Sequence, residues 1–235
     1  MTLREELERA AEVQRALLPR RLPILEGYDL AARCIPSRAV GGDFYDGYSV
    51  AGGLELTVAD VMGKGMGAAI LMATVRAVLR SAARRDDVAA AVAHAAVTLE
   101  PDLDETGTFV TLLHGRLDAE TGDFRYADAG HGLALVVGAD GEAERPLTLG
   151  LPLGALAGEQ WQESSVRLDP GGTLLVFSDG VLDLYDGSLE GLDDLVAIAR
   201  AAEGVQDIVD HISALARRSG PPDDVTLVAI RRDAG

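Results

Sequence analysis

Cysteine, positive charge and long apolar runs are all scarce in this sequence, and each scarcity excludes a class of protein. Cys34 is the single cysteine among 235 residues, so a disulfide framework within one chain is excluded and a cytoplasmic location is expected. No apolar run approaches the roughly 18 residues that a membrane-spanning helix needs. The charged N-terminus lacks the apolar core of a signal peptide. We therefore expect a cytoplasmic protein without a membrane segment.

Basic residues are outnumbered, since 21 Lys and Arg face 38 Asp and Glu and the formal net charge is −17. Nucleic acids and anionic membrane surfaces attract basic patches, so this balance argues against both as partners. The acidity has two possible sources, a solvated surface and a cluster of carboxylates that binds metal ions. The length fits one domain with at most a short appendage, and no internal repeat or linker interrupts it.

The start of the chain has the pattern of an amphipathic helix. Apolar residues recur there at alternating spacings of four and three, and Pro19 ends the helical pattern. We interpret residues 1–19 as a linker or dimerisation helix and residues 20–235 as the main domain. Two roles stay open for the helix: packing on its own domain, or pairing with a second copy in a homodimer through residues 1–18.

The rest of the chain alternates between strand-rich and helix-rich segments. Short strand patterns fill residues 28–59 and 108–177, and a last strand covers residues 225–231. Helical periodicity covers residues 66–99 and again residues 189–218. Runs of strands separated by pairs of helices predict an α+β fold instead of a repeating βαβ pattern.

Aspartates occur at the ends of several strand-like runs. Asp60 and Asp179 each follow an apolar run, Asp43 precedes one, and the pair Asp223-Asp224 precedes the last strand. A carboxylate at the end of a buried strand is costly unless something positive neutralises it. If these ends converge, they form an oxygen-rich pocket of the kind that binds hard divalent cations such as Mg²⁺ or Mn²⁺.

The segment Gly41-Gly42-Asp43-Phe44 looks like the GGDEF signature of diguanylate cyclases. Those enzymes have an acid after the aspartate, and Phe44 stands in its place here. The other aspartate motifs have no counterpart in that family. We therefore reject the cyclase interpretation.

The motifs taken together resemble the metal-dependent (PPM) serine/threonine protein phosphatases, specifically their bacterial SpoIIE/RsbU-like branch. The matching segments occur in the family's order and span nearly the whole chain. They are Val13–Pro19, Val40–Asp46, Asp60–Gly65, Thr108–Thr111, Ala129–His131, Phe177–Val181 and Asp223–Thr226.

The resemblance implies an α+β fold of four layers, an α-β-β-α sandwich in which helix pairs flank two antiparallel sheets. It also implies two Mn²⁺ or Mg²⁺ ions as cofactors. By position in the motifs, Asp43 and Asp60 would hold both ions, with Asp60 as the bridging ligand and the carbonyl of Val61 as a backbone ligand. Asp179 and Asp223 would complete the second site.

Asp223 is the preferred ligand of the Asp223-Asp224 pair. In the family pattern, the ligand aspartate is followed by two residues and then a threonine, which is Thr226 here. Adjacent residues of a strand also point to opposite faces, so the two carboxylates are not equivalent.

The activity implied by the resemblance is hydrolysis of phosphoserine or phosphothreonine by a hydroxide that bridges the two metal ions. The implied substrate is a STAS-type anti-sigma-factor antagonist in a bacterial partner-switching pathway that controls sigma factors in stress responses. A preceding sensor or a separate activator would regulate such an enzyme. The alternative is a catalytically silent module of the same fold that binds a phosphoprotein or dimerises.

Three positions depart from the family pattern. Leu133 stands where a proline commonly follows the Ala-Gly-His segment, and we interpret His131 as structural. Asp183 replaces the usual glutamate after Asp179. No arginine stands beside Asp43 as a phosphate clamp, and Arg38 is the nearest candidate.

Overall fold

Two antiparallel sheets of five strands each pack face to face, and helices cover both outer faces. The computed structural model describes residues 2–82, 87–146, 150–185, 187–189 and 191–234. The predicted α+β sandwich of four layers, α-β-β-α, is thereby confirmed.

Sheet 1 has the strand order β1-β10-β9-β6-β7, and sheet 2 has the order β2-β3-β4-β5-β8. The strands of sheet 1 are β1 (Tyr28–Ile35), β6 (Ala134–Val137), β7 (Ala143–Glu144), β9 (Thr173–Phe177) and β10 (Val225–Arg232). The strands of sheet 2 are β2 (Phe44–Val50), β3 (Gly53–Val61), β4 (Val110–Asp118), β5 (Asp123–Ala129) and β8 (Ser164–Arg167). The helices are α1 (Leu3–Leu17), α2 (Met66–Ala82), α3 (Val88–Thr106), α4 (Gly191–Ala201) and α5 (Val205–Ser219), with a 3₁₀ helix over Asp179–Leu184.

Strand β3 explains how the layers are held together. Leu56 and Val58 belong to the apolar cluster between the two sheets. Ala59 and Val61 belong instead to the cluster under helices α2 and α3. Successive side chains of a strand point to opposite faces, so β3 is buried on both sides. This burial fixes the position of the residues at its C-terminal end.

The helix pairs bury one face each against the sheets. Met72 of α2 and Leu99 of α3 pack on sheet 2, while Leu195 of α4 and Ile208 of α5 pack on sheet 1. A fully buried side chain of this size contributes about 1.5–3 kcal/mol. Among the described residues, no helix combines the length and the apolar character that a membrane span requires.

Helix α1 starts at a capping box formed by Thr2 and Glu5. Its Ala11 and Gln14 are buried against the sandwich, whereas Leu3 is 73% exposed. The helix therefore packs on its own domain through its second half. The division of the chain into residues 1–19 and 20–235 stays a prediction.

Candidate metal centre

Strand pairing places Asp43 and Asp60 opposite each other at one end of sheet 2. Phe44 of β2 pairs with Ala59 of β3 in antiparallel register, so the residue before Phe44 faces the residue after Ala59. Asp60 lies two residues after Val58 on the same strand, so its side chain is on the same face as that of Val58, which points between the sheets. Both carboxylates therefore lie at the same end of the space between the two sheets.

Sheet 1 brings Asp179 and Asp223 to the same end of the sandwich. Strand β9 pairs with β10 in a register that sets Phe177 against Leu227, and Ser178 N donates to Thr226 O at 3.0 Å. Asp179 follows the paired residues of β9, and Asp223 precedes the paired residues of β10. The approach is close, because a side chain at Gly180 would collide with the backbone of Asp224.

The acids influence one another electrostatically. Burial first, and then the charges of Asp179 and Asp223, raise the pKa of Asp60 to about 6 against the lowering effect of a hydrogen bond with Asp43. Burial and the charge of Asp60 raise the pKa of Asp43 well above its usual range. Burial and the charge of Asp223 raise the pKa of Asp179. The four predicted ligand carboxylates thus form one interacting cluster.

Asp43 is the most buried of these acids, with 3% of its surface exposed. Its Oδ2 atom is buried and has no hydrogen-bond partner. The hydroxyls of Ser178 and Thr226 are close enough to lower the pKa of Asp43 against the effect of burial. Thr226 Oγ1 nevertheless lacks a partner of good geometry, so this contact is loose and Asp43 keeps an oxygen available for a ligand.

Asp223 and Asp224 have different surroundings. The Asp224 carboxylate accepts hydrogen bonds from Ser37 N at 2.7 Å and from Gly42 N at 2.9 Å. Asp224 is 6% exposed and its oxygens are occupied by the loop before β2. The Asp223 side chain is 37% exposed, and its Oδ2 lies 2.7 Å from Lys64 Nζ.

The two glycines before Asp43 allow this loop to lie close to its neighbours. A side chain at Gly41 would collide with the Asp224 carboxylate. A Cβ at Gly42 would lie 2.5 Å from the carbonyl oxygen of Val61, a separation that real Cβ atoms essentially never show. The Val61 carbonyl therefore faces the loop that carries Asp43, and its role as a backbone ligand stays a prediction.

The donor set suits a hard cation, although the side chains stand apart. Among the described residues, no three Asp, Glu, His or Cys side chains are close enough together to hold a metal ion as they stand. Like charges repel, so bringing carboxylates onto a shared point requires a positive charge between them. Four carboxylates in electrostatic contact and one buried oxygen without a partner match the oxygen ligands that Mg²⁺ and Mn²⁺ prefer.

His131 is buried and has a hydrogen bond with the backbone of Phe177. It is 7% exposed, and its backbone N–H donates to Asp128 Oδ1 at 2.7 Å. Burial lowers the pKa of His131 to about 4, so the ring is neutral at physiological pH. A neutral, buried imidazole agrees with the structural role expected from the sequence.

Lys64 and Arg38 are the cations near the acids. Lys64 Nζ donates to Pro222 O at 2.8 Å in addition to its ion pair with Asp223, and that pair raises the pKa of Lys64 while Arg38 lowers it. Arg38 is exposed and is close enough to Lys64 to influence its pKa, which places it near this edge of the site.

Sequence reasoning missed two residues that build the site. Gln14 and Asp224 both hold the loop of Gly41, Gly42 and Asp43 in place through hydrogen bonds. A glutamine on a helix stripe and the second of two adjacent aspartates carry no sequence signal for such a role. Both contacts join residues that are far apart in the chain.

Comparison with known proteins gives consistent matches. The profile of the SpoIIE family, Stage II sporulation protein E, matches residues 51–233. Protein IcfG of Synechocystis is 28% identical over 269 residues, which cover 98% of this chain and 42% of IcfG. Phosphoserine phosphatase RsbU of Bacillus subtilis is 26% identical over 238 residues, which cover 98% of this chain and 71% of RsbU. This chain therefore spans less than half the length of IcfG.

Solved structures share the fold. The RsbU and RsbW domains of Rv1364c from Mycobacterium tuberculosis match with a TM-score of 0.80 and 31% identity, over 93% of this chain and 63% of that one. The catalytic domain of serine threonine protein phosphatase PstP, solved in complex with 2 manganese ions, matches with a TM-score of 0.63 and 20% identity, over 87% of this chain and 97% of that one.

Proposed function

Because this chain belongs to the SpoIIE family of PP2C-type phosphatases, we propose that it is a metal-dependent phosphatase acting on phosphoserine or phosphothreonine in a protein. The observation that carries the proposal is the convergence of Asp43, Asp60, Asp179 and Asp223 from four strand ends into one cluster of interacting carboxylates. Such a set of oxygen ligands serves hard divalent cations and has no evident use in holding the fold together.

Two Mn²⁺ or Mg²⁺ ions are the proposed cofactors. Asp43 and Asp60 would hold both ions, with Asp60 between them and the Val61 carbonyl as a further ligand, while Asp179 and Asp223 would complete the second site. When bound, the ions would supply Lewis-acid activation of water and stabilisation of the phosphoryl oxygens. Asp224 is the less suitable member of its pair, because its oxygens already accept hydrogen bonds from the loop.

The chain's own residues position these ligands. Asp224 and Gln14 fix the loop that carries Asp43, and the buried strand β3 fixes Asp60. Holding ligands in place before the substrate arrives lowers the cost of reaching the transition state. Arg38, exposed at the edge of the site, is the proposed contact to the substrate phosphate.

The proposed substrate is a phosphorylated STAS-type anti-sigma-factor antagonist in a cytoplasmic partner-switching pathway. Two relatives support this: RsbU is named as a phosphoserine phosphatase, and the Rv1364c structure joins an RsbU domain to an RsbW domain. An upstream sensor or a separate activator would control the enzyme. A homodimer through residues 1–18 fits the exposure of Leu3 and Val13, at 73% and 57%, and light scattering at increasing protein concentration tests it.

The direct test is hydrolysis of a phosphoserine peptide with and without Mn²⁺. We expect turnover that depends on Mn²⁺ and is lost in Asp179→Asn. The matched control is Asp169→Asn, the same change at an acid whose side chain is 74% exposed and forms an ion pair with Arg167. Equal turnover in Asp179→Asn and the control would rule out the proposed metal centre.

One observation favours a second candidate, a catalytically silent module of the same fold. Among the described residues, no group of three or more Asp, Glu, His or Cys side chains is arranged to hold a metal ion. Such a module would bind a phosphoprotein without hydrolysing it. Calorimetry separates the two, because a silent module takes up no Mn²⁺, whereas the enzyme binds Mn²⁺ even while it awaits an activator.

A further inference from the structure

A basic groove runs along the free edge of sheet 1, in a chain whose net charge is −17. The groove has a volume of about 700 Å³, and its walls are strand β1 on one side and residues 18–24 on the other. We propose that this β1 groove binds an extended acidic segment of a partner protein. The assignment rests on the proposed phosphatase function, since the segment is the part of the substrate that flanks the phosphorylated residue.

Four arginines supply the charge of the β1 groove. Arg15, Arg20, Arg21 and Arg33 all line it and are all exposed. Within the ranges that the structure describes, none of their four guanidinium groups donates a hydrogen bond or forms an ion pair. Guanidinium groups pair with carboxylates through two parallel hydrogen bonds, so unpaired arginines in a row match a run of Asp or Glu side chains.

The acid in the groove lining does not neutralise these arginines. Asp29 lines the groove, but its Oδ2 accepts a hydrogen bond from Val205 N at 3.1 Å. Val205 is the first residue of helix α5, where a carboxylate is stabilised by the free N–H groups and the helix dipole. The charge of Asp29 is thus directed at the N-terminus of α5, and the groove keeps its excess of positive charge.

The backbone of β1 offers a second means of binding. Strand β1 is the end strand of sheet 1 and pairs with β10 along one side. Every residue from Tyr28 to Cys34 lines the groove, so residues of both strand faces take part. A groove that touches both faces follows the edge of the strand, where free N–H and C=O groups accept an extended peptide as an added strand.

The opposite wall is held in a fixed position. Tyr45 Oη donates a hydrogen bond to Pro19 O at 3.0 Å. The side chain of Leu22 occupies the space beside Gly47, where a Cβ would lie 2.5 Å from it. Arg20 and Arg21 therefore sit on an anchored segment, and an arriving peptide loses less free energy to ordering the groove.

The inner end of the β1 groove reaches the loop that carries the proposed ligand Asp43. Cys34 lines the groove, and its Sγ donates to Asp43 O at 3.7 Å. An extended peptide advances by roughly 3.3 Å per residue, so a segment seated along β1 brings a nearby phosphorylated residue to the acidic cluster. The groove thus selects substrates with acidic residues beside the phosphorylation site.

The test compares two fluorescent peptides of equal length without phosphate, one rich in Asp and Glu and the other with Asn and Gln at the same positions. Fluorescence anisotropy at low salt is expected to show roughly tenfold tighter binding of the acidic peptide, with a preference that shrinks as salt is added. In Arg20→Gln/Arg21→Gln, the affinity for the acidic peptide relative to the neutral one should fall roughly fivefold, which removes most of this preference. The control is Arg217→Gln/Arg218→Gln, the same change at two exposed arginines of α5, which should keep the preference.

Equal binding of the two peptides by the unmodified chain would overturn the proposal. So would an unchanged preference in Arg20→Gln/Arg21→Gln, or arginine-dependent binding to phosphatidylserine vesicles or an oligonucleotide without a peptide preference. The same preparations are assayed for Mn²⁺-dependent hydrolysis of 4-nitrophenyl phosphate. Turnover without a peptide preference refutes the groove alone, whereas a preference with neither turnover nor Mn²⁺ uptake in calorimetry supports the groove and refutes the proposed catalysis.

Discussion

Gln14 and Gly41 form an amide pair that ties helix α1 to the loop that carries Asp43. Gln14 Nε2 donates to Gly41 O at 2.7 Å, and Gly41 N donates to Gln14 Oε1 at 3.1 Å. Asp224 binds the next residue, Gly42, from the opposite side. The loop before Asp43 is thus held between a helix at the start of the chain and a strand at its end.

Removing the Gln14 carboxamide should damage both stability and catalysis. Gln14→Leu leaves the buried N–H and C=O of Gly41 without partners, which costs about 1–3 kcal/mol of unfolding free energy. Phosphatase kcat should fall as well, because Asp43 loses its support. Denaturant unfolding and Mn²⁺-dependent peptide hydrolysis measure the two effects. Glu12→Leu, on the exposed side of the same helix, serves as the control, and a Gln14→Leu chain as active and stable as this control would contradict the account.

Alanine substitutions at Asp223 and Asp224 should have different effects, one mainly on metal binding and the other mainly on stability. Asp224→Ala removes charge-assisted hydrogen bonds to Ser37 and Gly42 and is expected to cost about 1.5–3 kcal/mol. Asp223→Ala loses a hydrogen bond from Asp224 N at 2.9 Å and an ion pair that is more than a third exposed on both partners, the pair being worth at most about 1 kcal/mol, but should lose most of the Mn²⁺ affinity. Thermal unfolding and calorimetry with Mn²⁺ give the two readouts. The reversed pattern would make Asp224 the ligand.

The close approach of Gly42 to Val61 predicts a contrast between two glycine substitutions. Gly42→Ala puts a Cβ 2.5 Å from the Val61 carbonyl, so the loop must shift, and the change should lower both unfolding temperature and metal-dependent turnover. Gly67→Ala, at an exposed site in α2 where nothing lies within 4 Å, should be neutral or stabilise by up to about 1 kcal/mol. Full activity in Gly42→Ala would show that the Val61 carbonyl and the loop are not closely coupled.

His131 should make the fold sensitive to acid. Burial lowers its pKa from 6.5 to about 4, so the unfolded chain binds the proton more tightly than the folded one. The contribution of His131 to stability is therefore complete above about pH 6.5 and is lost as the pH falls towards 4. A shift of this size corresponds to about 3 kcal/mol. Unfolding free energies from pH 7 to 4 should fall more steeply for the unmodified chain than for His131→Gln, and parallel curves would refute a buried neutral ring.

Much of the fold was accessible from the sequence, because it depends on local patterns. Strand β1 begins at Tyr28, the residue at which the sequence predicts the first strand-rich segment to begin. Helix α3 was predicted to end near Leu99 but continues to Thr106, where Gly107 adopts a left-handed conformation and caps it. The buried Leu103 extends the apolar face of α3 beyond the predicted end.

The candidate site was only partly accessible. Each proposed ligand aspartate stands in its own short motif, so the four acids were visible one by one. Asp43 and Asp60 lie opposite each other because of the register of β2 and β3. Local sequence patterns do not determine that register. The contacts of Gln14 and Asp224 with the loop join residues 27 and 182 positions apart, and such pairs arise only when the sheets and helices assemble.

The most direct test of the central claim is calorimetric titration of the unmodified chain and Asp60→Asn with Mn²⁺, followed by hydrolysis of a phosphoserine peptide by the same samples. The account predicts that the unmodified chain binds two Mn²⁺ ions and hydrolyses the peptide, and that Asp60→Asn loses both properties while its unfolding temperature does not fall. Hydrolysis by Asp60→Asn at the rate of the unmodified chain, or hydrolysis without any divalent cation, would contradict the claim that these carboxylates form the catalytic metal centre.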